Sequence, residues 1–172
     1  PNTVMYNTVL DALVRSNVRA GMERADEILR QMMTSPYQDV YPDTVSFRLV
    51  IFGWTELLSE EAEDQVLAKG DPSDSVDRAY SLLTEMLRLY ETGSSNVDLD
   101  ASFFSKLIST LARFGADYEK AQDIYVHLLE LYKRTEDPRF EPDIYTTRAM
   151  IIVYSKQNQP EKAEPLLMRL EH

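Results

Sequence analysis

The sequence predicts an all-α fold, a solenoid of about four helix-turn-helix hairpins. Three observations predict it. One apolar face at helical spacing recurs four times, and a second face led by alanine follows each copy. Only five glycines occur in 172 residues, too few for the tight turns of an all-β protein.

The leading helices are expected from MYNTVLDALV (5–14), SFRLVIFGWT (46–55), FFSKLISTLA (103–112) and TTRAMIIVYS (146–155). Their stripes fall at i, i+3, i+4, i+7: Tyr6-Val9-Leu10-Leu13, Phe47-Val50-Ile51-Trp54, Phe104-Leu107-Ile108-Leu111 and Thr147-Met150-Ile151-Tyr154. The trailing helices repeat the spacing in Ala25-Ile28-Leu29-Met32, Ala79-Leu82-Leu83-Met86, Ala121-Ile124-Tyr125-Leu128 and Ala163-Leu166-Leu167-Leu170. The alanines lie 54, 42 and 42 residues apart, so the second unit carries an insertion. It is placed at residues 59–75, SEEAEDQVLAKGDPSDS, as an acidic solvated excursion between the second leading helix and its partner.

Each leading helix follows a short polar entry: PNT, PDT, LDA or PDI. Asn2, Asp43, Asp100 and Asp143 stand where an N-cap acceptor is wanted, and proline stops the preceding helix. The expected units are 3–43, 44–100, 101–143 and 144–172. A lone hairpin leaves its stripe wet, so stacking lines one surface with leading helices and the other with trailing ones. Opening on Pro1 at such a boundary is what a piece of a longer array would do.

The chain has no cysteine, which removes disulfides and thiolate metal sites. No apolar run approaches the roughly 18 residues of a membrane span. Neither His127 nor His172 has partners spaced for a catalytic triad or a zinc site, and DPSDSVD (71–77) lacks the Gly and Glu of a calcium loop. No catalytic residue, metal or cofactor is therefore assigned, and no enzyme is expected. A net charge of −11 opposes simple phosphate binding, but it is unevenly spread. The leading windows 3–16, 44–58, 101–114 and 144–157 hold six basic and two acidic residues, +4, against −15 elsewhere. That is the pattern of a positive inner surface in an acidic shell.

YNTVLDAL at 6–13, ADEILRQMM at 25–33, YPD at 41–43 and FEPD at 140–143 resemble, in order, the motif of the pentatricopeptide repeat (PPR) family. The resemblance covers the whole chain as four units, closest in the first, with units lengthened in their loops. It implies a right-handed α-α superhelix, TPR/PPR-like, that binds single-stranded RNA as a monomer. Such repeats serve organellar RNA processing, stability or translation, which points to mitochondrion or chloroplast. Each unit presents two polar readers to one unstacked base, and neighbouring units clamp that base.

Carried onto this sequence, the readers are Asn7 with Asp43, Arg48 with Asp100, and Ser105 with Asp143, while Arg148 is left without a second member. The clamps are Val4, Val45, Ser102 and Tyr145. The resemblance implies uracil for Asn7 with Asp43 and leans to guanine for Ser105 with Asp143. Arg48 and Arg148 depart from the family's code and suit phosphate contact or stacking. Arg15, Lys106, Arg113 and Lys156 are the backbone-contact candidates.

Plainer roles stand beside these. N-capping accounts for the three aspartates, Val4 and Val45 can be staples at a helix start, and Trp54 fits a core. The alternative function is a protein-interaction scaffold of tetratricopeptide (TPR) type, although that family's Trp-Leu-Gly-Tyr signature is absent.

Overall fold

The computed structural model describes residues 2–37, 39–63, 72–94, 96–115 and 117–170. These residues are all-helical, with no strand among them. The helices are α1 (Thr3–Arg15), α2 (Arg19–Met33), α3 (Thr44–Glu63), α4 (Pro72–Glu91), α5 (Ala101–Phe114), α6 (Tyr118–Thr135), α7 (Ile144–Lys156) and α8 (Pro160–Leu170), with a 3₁₀ turn at Pro138–Phe140. No helix among the described residues is long and apolar enough to cross a membrane.

The chain forms two compact units, Pro1–Leu99 and Asp100–His172. In the first, α1 packs on α2 and α3, α2 on α3, and α3 on α4. In the second, α5 packs on α6 and α7, α6 on α7, and α7 on α8. Each unit is thus two hairpins with their leading helices side by side.

The stripes explain the packing. Phe47, Val50, Ile51 and Trp54 on α3 are fully buried, as are Phe104, Leu107, Ile108 and Leu111 on α5. The trailing stripes led by Ala25, Ala79 and Ala121 are buried throughout. Full burial of one large apolar side chain contributes roughly 1.5–3 kcal/mol. Gly53 makes room for the neighbours of α3, since an added Cβ would stand 2.6 Å from the Met22 side chain and 3.0 Å from Val14 Cγ1.

The outer hairpins depart from the expected core. Val9 is 48% exposed and Leu167 51%, while Tyr6, Leu13, Ala163, Ile151 and Leu170 are half-buried. Periodicity selects a face, but burial also needs a neighbour wide enough to cover it. Helix α8 has α7 as its main packing partner, so one edge of its stripe stays wet.

The insertion is also corrected. Helix α3 continues to Glu63 and α4 begins at Pro72, with Ser75 and Val76 already buried. Both ends of the expected excursion are therefore helical, and residues 64–71 lie outside the described residues. Alanine and glutamate at 60–63 are adequate helix formers, and Pro72 takes the first helical position, where its missing N–H costs nothing.

All four expected N-caps form. Asn2 accepts the Met5 N–H, Asp43 the Ser46 N–H, Asp100 the Phe103 N–H and Asp143 the Thr146 N–H. Three hairpin turns place Asn17, Gly115 and Asn158 in the left-handed region just past α1, α5 and α7, a common way to end a helix. The segments before α3, α5 and α7 alternate. Val40 and Pro42, Val97 and Leu99, and Phe140 and Pro142 are buried, while Tyr41, Asp98 and Glu141 between them are exposed. This is the two-residue period of extended backbone.

A threonine pins two of these segments. The Thr3 N–H donates to Asp39 O at 2.9 Å, and the Thr3 hydroxyl bonds Tyr41 O at 2.9 Å. The Thr44 N–H donates to Asn96 O at 3.1 Å, and the Thr44 hydroxyl accepts the Asp98 N–H at 2.7 Å.

Two stability effects follow. Glu136 caps α6 at φ 52°, a conformation that costs a side chain about 1 kcal/mol or more. Glu136→Gly is expected to raise the urea midpoint by up to about 1 kcal/mol of stability, and an unchanged or lowered midpoint would contradict this. At Asp117, the N-cap of α6, burial raises the carboxyl pKa, but hydrogen bonds from the Lys120 side chain and backbone outweigh it. The net shift is downward. Its stabilisation is then complete above the unfolded carboxyl value of about 3.9 and is lost as pH falls through the lower folded value. Asp117→Asn should flatten that part of the acid limb of stability against pH, and an unaltered limb would contradict it.

Candidate functional site

The first candidate pair is brought together. Asn7 lies on the second turn of α1, Asp43 caps α3, and α1 packs beside α3. Asn7 Nδ2 donates to Asp43 Oδ1 at 3.1 Å. An ionised carboxylate only accepts, so the Asn7 amide must turn its nitrogen toward it. Its carbonyl oxygen then faces Ser46, whose Oγ lies 2.6 Å away. Ser46 is fully buried, and its Oγ accepts the Asp43 N–H at 3.1 Å and stands 2.9 Å from Asp43 Oδ1. Asn7 and Asp43 are both half-exposed. The recorded donors to Asp43 converge on Oδ1, and no described residue donates to Oδ2. The joint therefore leaves one Asn7 N–H, one Asn7 lone pair and Asp43 Oδ2 unused.

The second unit repeats this joint. Asp143 Oδ1 accepts the Thr146 N–H and hydroxyl, each at 2.7 Å, and the Ser105 hydroxyl at 3.2 Å. Again no described residue donates to Oδ2. Ser105, however, is buried, and its hydroxyl proton is directed at Asp143. Ser105 thus holds Asp143, and Oδ2 of the half-exposed Asp143 is the acceptor of the pair left without a donor among the described residues.

Arg48 falls in the first unit and Asp100 in the second. The Arg48 guanidinium lies 5.7 Å from the Phe52 ring centroid, and Asp100 Oδ1 takes the Ser102 hydroxyl at 2.6 Å besides its capping bond. The four clamp candidates occupy one equivalent position, two residues after the N-cap. All are exposed: Val4 by 70%, Val45 by 52%, Tyr145 by 67%, and Ser102.

The cations divide. Arg15 pairs with Asp11 at 2.8 Å, and Arg113 lies over the Phe114 ring at 5.1 Å. Lys106, Arg148 and Lys156 are exposed, and among the described residues Arg148 and Lys156 have no ion-pair partner. The extension of α3 adds Glu60, Glu61 and Glu63, so the leading helices as they form carry a formal +1, from six basic and five acidic residues. The added acids lie twelve residues or more beyond Arg48, about 18 Å along the helix axis. Of the six cations, Arg48, Lys106 and Arg148 lie in the first two turns of their helices, close to the capping aspartates, while Arg15, Arg113 and Lys156 stand in the last turn.

Sequence reasoning missed a charged cluster on the trailing side. Arg78 bridges Asp26 at 3.4 Å and Asp74 at 3.0 Å and lies 4.9 Å over Trp54, with Arg19 also on Asp74 and 5.7 Å from the indole. Asp26 Oδ1, Trp54 Nε1 and Ser75 Oγ are buried there without a protein partner. The one available signal was an acid directly after Ala25 on an apolar stripe. A cleft of about 350 Å³ opens near the ends of α2 and α4, lined by Met32, Tyr37, Tyr41, Leu89 and the Glu85–Arg88 pair among others. His127 is half-buried with Nδ1 3.9 Å from Glu130, and no group among the described residues is arranged to hold a metal ion.

Comparison with protein-family models and with curated proteins finds no match.

Asp43→Ala removes a cap and leaves the Asn7 amide without its acceptor. A loss of about 1–2 kcal/mol is expected in urea denaturation, with Asp43→Asn costing less because Oδ1 still caps. Equal losses for the two variants would show that the charge, and not the cap, matters.

Proposed function

We propose that the chain binds single-stranded RNA through the capped ends of its leading helices, as a non-catalytic PPR-like array of about four hairpins in a right-handed α-α superhelix. The observation that carries this reading is the recurrence of one joint. Asn7–Asp43–Ser46 and Ser105–Asp143–Thr146 each tie a leading helix to the N-cap of the next, with an exposed Val45 or Tyr145 two residues away.

The unused atoms suit base edges. The spare Asn7 N–H and lone pair match a group that both accepts and donates, as the O4 and N3–H of uracil do. Asp143 Oδ2 only accepts, which suits the imino and amino N–H groups of guanine. Exposed Tyr145 offers a ring on which a base can stack, Arg148 one turn on supplies a phosphate contact, and Lys156 at the far end of α7 could meet the strand only beyond the base. From the resemblance to the PPR family we read an organellar setting, mitochondrion or chloroplast, and a part in RNA processing, stability or translation. A second reading, a protein scaffold, is favoured by the cleft beside α2 and α4, whose lining mixes Met32, Tyr37, Tyr41 and Leu89 with the Glu85–Arg88 pair.

Anisotropy of a labelled U-rich strand tests the choice. Binding should fall with salt, and Arg148→Ala should reduce the slope of log K against log salt by about 1. Asn7→Ala should weaken preference for uracil over cytosine by about fivefold. No binding at low salt would remove the RNA reading, and capture of a protein chain in the cleft would favour the scaffold.

A further inference from the structure

From the hydrogen bonding around α3 we infer that Ser46 is a positioning residue: its buried hydroxyl fixes the plane of the Asn7 amide and thereby which donor and acceptor that side chain offers outward. For specificity this rests on the RNA reading above; for geometry it stands alone.

The Ser46 hydroxyl has a single proton, and its shortest contact is to Asn7 Oδ1 at 2.6 Å, against 2.9 Å to Asp43 Oδ1. One of its two lone pairs takes the Asp43 N–H at 3.1 Å. Asn7 is therefore held at both ends, nitrogen by Asp43 and oxygen by Ser46. Held by nitrogen alone, the amide could swing about its Cβ–Cγ bond, whose torsion is soft. Capping itself does not require this hydroxyl. Helices α1 and α5 carry Met5 and Phe103 at the equivalent position and are capped by Asn2 and Asp100 all the same. In the second unit the position is Thr146, also fully buried and also bonded to the capping aspartate. A hydroxyl thus stands at this position in both helices whose cap also grips a neighbouring leading helix within its unit.

The test compares Ser46→Thr with Ser46→Val, two side chains of one shape that differ in the hydroxyl. Thr146 shows that the joint accommodates the branched form, and Ser46→Ala serves if either variant unfolds. The first readout needs no RNA. The Asn7 side-chain amide, followed by ¹⁵N NMR, should keep its shifts and its slowed solvent exchange in Ser46→Thr and lose both in Ser46→Val or Ser46→Ala. Retention of wild-type shifts and exchange without the hydroxyl overturns the inference. The second readout is the ratio of affinities for strands carrying uracil or cytosine. It should fall about fivefold in Ser46→Val and recover in Ser46→Thr, the worth of one hydrogen bond. An equal ratio in both variants overturns the specificity role. If the unaltered chain binds neither strand at low salt, the RNA reading fails and with it the specificity role, while the NMR comparison decides the geometric one.

Discussion

A single carboxylate oxygen governs how hairpins meet in each unit. Oδ1 of Asp43 takes one of the unpaired N–H groups at the start of α3 and in the same place holds a side chain from the helix beside it. Oδ1 of Asp143 does the same with Ser105. Helix ends leave amide groups unpaired, so a cap is wanted whatever the tertiary structure. Once present, the cap is a fixed acceptor of known position, and a neighbouring helix can be aligned against it. Apolar stripes alone do not do this, because ridges and grooves of similar side chains allow more than one sliding register. A directional polar contact selects among them.

That arrangement has an electrostatic side. A helix N-terminus carries partial positive charge, which favours the capping carboxylate and any further anion brought close. The formal charge of the leading helices is nearly balanced once α3 is followed to Glu63, and at their capped ends Arg48 and Arg148 stand beside the capping Asp43 and Asp143. The trailing side resolves its charges internally, through Arg78 between Asp26 and Asp74 over the Trp54 ring. Of these charges only Asp26 is buried, so losing Arg78 would leave it to Arg30 alone, and this cluster favours the packing of α2, α3 and α4 that brings Arg78 to it.

Much of this was legible in the sequence, and the boundary is physical. The helices of each hairpin were readable because Phe47, Val50, Ile51 and Trp54, or Ala121, Ile124, Tyr125 and Leu128, satisfy one period and are all buried. The caps were readable because they need only the local chain. Val9 and Leu167 were misjudged because a stripe does not state how far its neighbour extends. The end of α3 was misjudged because glutamates look like a solvated loop yet favour helix; nothing breaks the chain before Gly70 and Pro72. Ser105 was expected at the surface, since a serine gives no hint of its burial. Ser46 was invisible as a partner of Asn7, because 39 residues separate them and no local rule links them.

The threonine pins bear on how such a chain can change in length. Thr3 reaches a segment 36 residues downstream and Thr44 one 52 residues downstream, yet both make the same kind of clasp. The described part of the second hairpin's extra length is helical, α3 running on to Glu63 and α4 starting at Pro72. Lengthening these two helices leaves both clasps in place, so within this unit the clasped edge is held to one pattern while helix length is at liberty to diversify.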